Sequence, residues 1–169
     1  FDNQIIPGNS NTDFQRTNGG KTLHQGLEAA IGYDFANGFS VDANATWIPD
    51  AEFVGNRYKA DGALDIPDGN RVTYAPEWVA NLVLAYQSGP LRTALSVNHV
   101  DEQFTDAANT VAIAENTSGF FTGRVDAYTT IDLTASYAIN PQFSVFGAVK
   151  NLTDEHYVAS LRQGIYVGP

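Results

Sequence analysis

The 169-residue sequence contains no cysteine and no methionine, and its nine lysine and arginine residues are outnumbered by 19 aspartate and glutamate residues. Without cysteine there is no disulfide framework, no thiolate zinc site and no cysteine nucleophile. The formal net charge of −10 argues against DNA and RNA as partners, because nucleic-acid binding relies on basic surface. The sequence also lacks an apolar run of about 18 residues, the length that a membrane-spanning helix requires.

Motifs that carry catalytic or metal chemistry are equally scarce. Three histidines, His24, His99 and His156, lie 75 and 57 residues apart, without the paired spacing of a metalloprotease helix. Residues 19–22 resemble the end of a phosphate-binding loop but lack its first glycine, and no serine has the context of a nucleophile elbow. We therefore expect no enzyme activity, no cofactor and no metal.

One acidic loop could offer oxygen ligands to calcium. The spacing of its oxygen-bearing residues does not match an EF-hand, so a solvated, turn-rich loop is the expectation for Asp61, Asp65, Asp68 and Asn70.

Strict alternation of apolar and polar residues is the main positive signal. From Phe39 to Trp47 every second residue is apolar, while the intervening positions are polar. Similar alternation elsewhere predicts strands that are apolar on one side only. The predicted strands cover residues 22–35, 39–47, 78–87, 91–100, 127–138 and 143–151, and residues 1–6 are predicted to end a seventh.

The connections between these strands alternate between short and long. Short ones carry turn-forming residues at positions 36–38, 88–90 and 140–142, which predicts antiparallel neighbours. Long ones cover residues 7–21, 48–77 and 101–126. Structureless loops of this length argue against a compact soluble domain unless they carry function, whereas an outer-membrane barrel has this asymmetry.

Aromatic residues cluster at the strand ends, as they do where a barrel crosses the two membrane interfaces. Between Phe39 and Trp47 a strand covers roughly 27 Å at about 3.4 Å per residue, or about 20 Å vertically when tilted. This approaches the apolar band of about 25 Å in outer-membrane barrels. The predicted aromatic girdle consists of Tyr33, Phe35, Phe39, Trp47, Trp78, Tyr86, Tyr137 and Phe143, and we expect Tyr128 at the same end as the tryptophans.

These features favour an all-β fold, an antiparallel transmembrane β-barrel, with its apolar face toward lipid. The charged strand residues support this sidedness because all are predicted on the opposite face: Glu28, Asp34, Asp42, Arg92, Asp132 and Lys150. A β-sandwich would exclude charge from its core in the same way. An extracellular soluble β-sandwich binding module and a small complete outer-membrane barrel of about eight strands therefore remain as alternatives.

Residues 143–157 resemble the penultimate strand and following loop of TonB-dependent outer-membrane receptors. The recurrent Asn-Leu-Thr-Asp-x-x-Tyr pattern of that family appears here as Asn151 to Tyr157. Two further stretches, residues 73–78 and 162–169, are similar to segments that enter strands in the same family. The resemblance covers essentially the whole sequence.

This resemblance implies a C-terminal β-barrel part of a siderophore or ferric-chelate receptor in the outer membrane of a Gram-negative bacterium. Residues 1–169 would supply the last strands of a plugged barrel of about 22 strands, and we expect a fragment without the plug domain and the final strand. The short turns would be periplasmic and the long loops, including residues 152 onwards, extracellular. The implied partners are outer-membrane lipid, a ferric chelate ligand, and TonB acting through the plug.

The resemblance does not identify the ligand. Loop 48–77 carries six acidic and three basic residues and loop 101–126 five and one, so neither is a cationic funnel for anionic chelates. Individual arginines could still bind carboxylate chelators, and tyrosine suits ordered loop contacts. The candidate ligand-binding residues are Arg57, Tyr58, Arg71, Arg124 and Arg162.

Overall fold

The structure, a computed structural model, describes residues 5–7, 16–18, 20–59, 61–115, 119–161 and 164–168. All regular secondary structure in these residues is β-strand. The described residues form no helix of the length and apolarity needed to span a membrane.

Six long strands form one antiparallel sheet in which each strand pairs with the next long strand along the chain. The alternation of apolar and polar residues explains why these segments are strands, since it creates one apolar and one polar face. All six predicted strands are confirmed, with ends that differ by a few residues except in the second. They are β3 (Lys21–Asp34), β4 (Phe39–Val54), β7 (Trp78–Ser88), β8 (Leu91–Val100), β13 (Tyr128–Asn140) and β14 (Phe143–Val149).

Short turns join three pairs of these strands, as predicted. Between β7 and β8 the turn contains only Gly89 and Pro90, and between β13 and β14 only Pro141 and Gln142. In the latter turn the Oδ1 atom of Asn140 accepts hydrogen bonds from the N–H groups of Gln142 at 2.9 Å and Phe143 at 3.0 Å. The short turns therefore lie together at one end of the sheet, and the long connections at the other.

A β-bulge divides the first hairpin into a lower part, beside the short turn, and an upper part, beside the long connections. Gln25 pairs with Asp50 and Leu27 with Trp47, so Ile48 and Pro49 together lie opposite Gly26. A Cβ atom at Gly26 would lie 2.4 Å from the Trp47 carbonyl oxygen, and glycine permits this approach.

The bulge explains why the predicted second strand was too short. Below it, even-numbered residues of β4 face the polar side of the sheet, whereas above it the extra residue puts Ala51 and Phe53 on that side. Periodicity therefore appeared to end at Trp47, although β4 continues to Val54. Residues 48–54, predicted as loop, are strand.

Cross-strand register places the apolar positions of all six strands on one face. Leu82, for example, pairs with Ala43 on one side and Val97 on the other, and Val97 pairs with Ile131. Five of the six charged residues named above pair with positions of the polar face, as predicted. They are Glu28, Asp34, Asp42, Arg92 and Asp132. Lys150 lies just beyond the end of β14.

No second sheet covers the apolar face in the described part of the chain, where Leu27, Ile31 and Val145 are all more than half exposed. A β-sandwich would bury this face, so the sandwich alternative is wrong. The six-stranded sheet is also open among the described residues, because β3 and β14 each have only one neighbour.

The long connections contain short two-stranded pairs. Before β3, β1 (Ile5–Pro7) pairs with β2 (Arg16–Asn18), so Ile5 and Ile6 belong to this small pair rather than to the main sheet, and residues 1–4 lie outside the described residues. The remaining short strands are β5 (Arg57–Tyr58), β6 (Leu64–Ile66), β9 (Gln103–Phe104), β10 (Ala114–Glu115), β11 (Phe121–Thr122), β12 (Arg124–Val125), β15 (Val158–Leu161) and β16 (Ile165–Val167). The two strands of each pair are β5 and β6, β9 and β12, β10 and β11, and β15 and β16.

Candidate functional site

The buried apolar residues lie at the end of the molecule that carries the long connections. A small core joins Phe53 of β4 to Ile66, Val72 and Ala107, with Ala75 packed against it. These residues come from the upper part of β4 and from the β4–β7 and β8–β13 connections. Their burial holds the connections against the top of the sheet, and we call this assembly the loop platform.

Arg71 holds the loop platform to the bulge through main-chain carbonyl groups. Its Nε donates to the Ala75 carbonyl at 2.6 Å, while its two terminal nitrogens donate to the carbonyls of Ile48 at 2.6 Å and Pro49 at 3.0 Å. Bulges leave ladder carbonyls unpaired, and the planar guanidinium fork can satisfy several of them at once.

Asparagine side chains connect the two long connections to each other. Asn109 accepts the Arg71 N–H through Oδ1 at 2.6 Å and donates through Nδ2 to the Arg71 carbonyl at 2.8 Å. The side chain of Asn70 donates to the Ala107 carbonyl at 2.8 Å. An amide side chain can thus replace a strand partner, because it presents one donor and one acceptor side by side.

Tyr74 joins the platform to the connection that follows β14. Its hydroxyl donates to the Leu161 carbonyl at 2.6 Å and accepts from the Leu161 N–H at 3.3 Å. Its own N–H donates to the Phe104 carbonyl at 2.8 Å. Tyr74, in the β4–β7 connection, therefore contacts both the β8–β13 connection and the segment that follows β14.

The Asn-Leu-Thr-Asp-x-x-Tyr segment forms the turn after β14. The Asn151 side chain accepts from the Glu155 N–H at 2.9 Å and donates to the Glu155 carbonyl at 3.0 Å, while its N–H donates to Asp132 Oδ1 at 2.8 Å. The Tyr157 ring stacks on Tyr128 with centroids 3.9 Å apart. A Cβ atom at Gly168 would lie 1.8 Å from the Tyr157 ring, so only glycine fits beside it in this arrangement.

Four of the five predicted ligand-binding residues lie at or beside the platform and bind different partners. Arg57 forms an ion pair with Asp65 across the β5–β6 hairpin, and Tyr58 beside it is 59% exposed. Arg124 of β12 bonds to Glu102 at 3.1 Å and to Asp126 at 3.3 Å. Arg71 has the structural role described above, and Arg162 lies outside the described residues. Ligand binding by these five residues stays a prediction.

The acidic loop residues also have local partners. Asp65 pairs with Arg57, Asp68 Oδ1 accepts from the Gly55 N–H at 2.6 Å, and Asp61 Oδ1 accepts from the Ala63 N–H at 3.0 Å. No group of three or more metal-ligating side chains occurs within the described ranges. These bonds explain the acidic residues as formers of the loop's turns.

Aromatic pairs lie on the apolar face at both ends of the strands. Trp47 and Trp78 stack with centroids 5.6 Å apart, beside the long connections. At the short-turn end Phe39 contacts Tyr86 at 4.5 Å and Tyr33 contacts Phe35 at 4.7 Å. The other predicted girdle residues, Tyr137 and Phe143, are also exposed at this end.

Tyr128 does not belong with this aromatic set, contrary to expectation. Thr129 pairs with His99 on the apolar face, so Tyr128 points to the other face, where it stacks on Tyr157. Its place near a strand end was correct, but a one-residue difference in register exchanges the two faces.

Reasoning from sequence missed the residues that hold the loops together. Asn109 carried no recognisable motif. Tyr74 and Gly168 lie in the two stretches that resemble the receptor family, residues 73–78 and 162–169, but the resemblance implied no role for them in holding the loops. The left-handed backbone of Asn109, at φ 54°, is a conformation that asparagine tolerates better than most residues.

The geometry defines a class of protein: a section of transmembrane β-barrel wall with an ordered group of loops at one end. Comparison with known proteins gives the family. The family model described as TonB dependent receptor-like, beta-barrel, matches residues 1–152. The chain belongs to this family, whose members are transport receptors rather than enzymes. They are outer-membrane proteins of Gram-negative bacteria, and the outer membrane is the location of this chain.

Individual relatives are similar over most of this chain but over a small part of their own length. The ferrioxamine receptor of Yersinia enterocolitica is 30% identical over 142 residues, which cover 83% of this chain and 18% of that protein. The ferric citrate transporter FecA, whose crystal structure is known in the unliganded form, is 26% identical in sequence. The two structures superimpose with a TM-score of 0.66 over 96% of this chain and 24% of FecA. The ferric yersiniabactin uptake receptor FyuA from Yersinia pestis has the same fold, at 22% identity and a TM-score of 0.64, covering 91% and 23%.

Proposed function

We propose that this chain forms part of an outer-membrane receptor for TonB-energised uptake of a ferric siderophore or a similar ferric chelate. In this role the six-stranded sheet is a C-terminal section of the barrel wall, and the loop platform helps to capture the ligand outside the cell. The observation that carries the proposal is the combination of a continuous exposed apolar face with an ordered loop platform at one end only.

The apolar face supports the membrane part of this proposal. Outer-membrane barrels present apolar residues to lipid between two aromatic girdles. Here the Trp47–Trp78 pair lies beside the loop platform, and the Phe39–Tyr86 pair beside the short turns. We assign the first pair to the outer interface of the membrane and the second to the periplasmic interface.

The names of the relatives support a ferric chelate as the ligand class. The ferrioxamine receptor, the ferric citrate transporter and the ferric yersiniabactin receptor are each named for an iron chelate. Ferric chelates with carboxylate or hydroxamate groups offer oxygen atoms to cationic donors. Arg57, Tyr58, Arg124 and Arg162 are the proposed ligand contacts, whereas Arg71 is assigned mainly to holding the platform.

TonB is the proposed source of energy, acting through a plug domain inside the complete barrel. The polar face of the sheet would then line the barrel interior. It carries asparagine, serine and threonine side chains, including the Asn81–Asn44 pair, in which the Asn81 Nδ2 donates to Asn44 Oδ1 at 3.0 Å. Such a polar lining suits contact with water or with a polar plug surface.

Uptake of radioactive iron tests the function directly. The natural protein is produced in a Gram-negative strain that lacks its own ferric-chelate receptors, and ⁵⁵Fe-ferrioxamine and ⁵⁵Fe-citrate are supplied separately. We expect uptake of at least one chelate, lost in a strain without TonB. Equal accumulation with and without the protein for both chelates, despite its presence in the outer membrane, would contradict the proposal.

A further inference from the structure

We infer that Tyr74 is a positioning residue that couples the extracellular connections, because its hydroxyl group fixes the β15–β16 hairpin to the loop platform. The consequence for ligand capture rests on the proposed function, whereas the coupling itself is a property of the fold. Tyr74 and Leu161 are 87 residues apart in the sequence.

The contact between Tyr74 and Leu161 has two hydrogen bonds to one residue. The hydroxyl donates to the Leu161 carbonyl at 2.6 Å and accepts from the Leu161 N–H at 3.3 Å. Within the hairpin, Leu161 pairs with Ile165. On its other side the Tyr74 hydroxyl takes the place of a further strand partner, serving both the donor and the acceptor of one residue.

The backbone of Tyr74 is held in an uncommon conformation that serves this contact. Its φ of 54° lies in the left-handed region, which is unfavourable for a bulky residue. The bond from its N–H to the Phe104 carbonyl and the Arg71 clamp on the Ala75 carbonyl fix the backbone on both sides. The tyrosine is thus presented by a segment that is itself tied to the bulge.

The base of the hairpin, at the end away from Leu161, is fixed by other contacts. The Gly168 N–H donates to the Tyr157 carbonyl at 2.9 Å, and the Tyr157 ring stacks on Tyr128 of the barrel wall. The hairpin is therefore attached to the wall at its base and to the platform at Leu161. Since β15 also contacts β12, loss of the Tyr74 hydrogen bonds would loosen the hairpin at Leu161 while leaving its other contacts in place.

Removing one oxygen atom tests the coupling. Tyr74→Phe deletes both hydrogen bonds and keeps the aromatic ring. Tyr74 is 44% exposed. Tyr137→Phe is the matched control, because it removes the same atom from an exposed tyrosine at the short-turn end of the wall, away from the loop platform. Both variants are made in the natural protein, in its own outer membrane or in lipid nanodiscs.

Hydrogen exchange is the first measurement. We expect exchange of the β15–β16 amides, including Leu161, to rise about tenfold in Tyr74→Phe and to stay unchanged in Tyr137→Phe, with β7 and β8 unaffected in both. If Tyr74→Phe does not assemble, exchange of the Leu161 amide in the unmodified protein is compared with that of Ala159, which lies at the register shift of the hairpin, and exchange no slower at Leu161 would overturn the coupling. Unchanged hairpin exchange, or an equal rise in β7 and β8, would overturn the coupling.

Ligand affinity is the second measurement, with ferrioxamine and ferric citrate as the probes. We expect Tyr74→Phe to weaken binding of the accepted chelate about threefold to tenfold, since a hairpin that is ordered for less of the time lowers the binding-competent fraction. Unchanged affinity together with faster exchange would overturn the positioning role. Failure of the unmodified protein to bind either chelate would count against the proposed function, and the exchange result would still decide the coupling.

Discussion

The barrel wall and the loop platform bury their apolar residues in opposite ways. In the wall, large apolar side chains such as Ile31 and Phe143 are each 67% exposed on one continuous face. In the platform and the top of β4, Phe53, Ile66 and Val125 are each 1% exposed. The wall therefore relies on the membrane as its apolar environment, whereas the platform contains a core of its own.

The wall and the platform also differ in the kind of hydrogen bond that holds them together. In the wall the bonds follow the regular ladder between neighbouring strands, whose register is set by sequence alternation and tight turns. In the platform, side chains of Arg71, Asn109 and Tyr74 bond to main-chain groups of segments that are distant in the sequence. Changes to the two regions should therefore have effects that stay separate.

The largest expected effect comes from emptying the platform core. Phe53→Ala should destabilise the platform by about 3–5 kcal/mol, because it removes a fully buried aromatic side chain and leaves a cavity. Hydrogen exchange should rise in residues 61–75 and 103–110 but not in β7 or β8. Val54→Ala is the control on the same strand, since Val54 is 48% exposed. A matching rise throughout the wall would show that the two regions are not independent.

A charge on the lipid face should have the next largest effect. Leu82 lies midway between Trp78 and Tyr86 on the apolar face, so Leu82→Arg should cost about 2–4 kcal/mol of folding free energy in a bilayer. Asn81→Arg places the same side chain on the polar face one residue earlier and should cost much less. Urea titration of the protein in lipid vesicles measures both, and equal costs would contradict the assignment of the faces.

A smaller effect is expected when the guanidinium clamp is replaced by an ammonium group. Arg71→Lys keeps the charge but cannot reach three carbonyl groups with one planar fork, so local opening of the platform should become about 1.5–3 kcal/mol easier. Exchange of the Val72 amide, which donates to the Ala51 carbonyl at 2.7 Å, reports on this opening.

Arg92→Lys is the matched control for this change. Arg92 lies on the polar face of the wall and donates to Gln87 at 3.1 Å, so its replacement should leave platform exchange unchanged. An equal response to both substitutions would mean that the carbonyl contacts of Arg71 add little.

The smallest expected effect concerns the aromatic pair at the outer interface. A double-mutant cycle with Trp47→Leu and Trp78→Leu should give a coupling of about 0.5–1.5 kcal/mol, the range for aromatic pairs. The same cycle on Phe39 and Tyr86 measures the periplasmic end. Zero coupling at both ends would indicate that each ring interacts with lipid alone.

Prediction from sequence worked best where structure depends on near neighbours in the chain. The alternation at Phe39–Trp47, the turn residues at Gly89-Pro90 and the charged positions other than Lys150 gave correct strands and faces. It failed at Ile48 and Pro49, where one additional residue reverses the alternation, and at Tyr128, where a strand end was correct but the face was not.

The candidate site was less predictable than the wall. Arginines were proposed as ligand contacts because their chemistry suits carboxylates, yet the same chemistry suits main-chain carbonyls, and Arg71 binds three of them. Nothing local in the sequence distinguishes the two uses, since the carbonyl groups of Ile48 and Pro49 reach Arg71 only through the bulge and the folded connection.

The amino-acid sequence alone was enough to predict the six long strands, their antiparallel order, the lipid-facing side and the family. These properties depend on a two-residue period and on turns, which are local, and on the Asn151 to Tyr157 motif. The points where the loops are held became visible only in the folded structure, because Tyr74 and Leu161, or Asn109 and Arg71, become neighbours only when strands distant in sequence bring them together. Each of those contacts is stabilising only when both partners are present, and the two partners come from different segments of the chain.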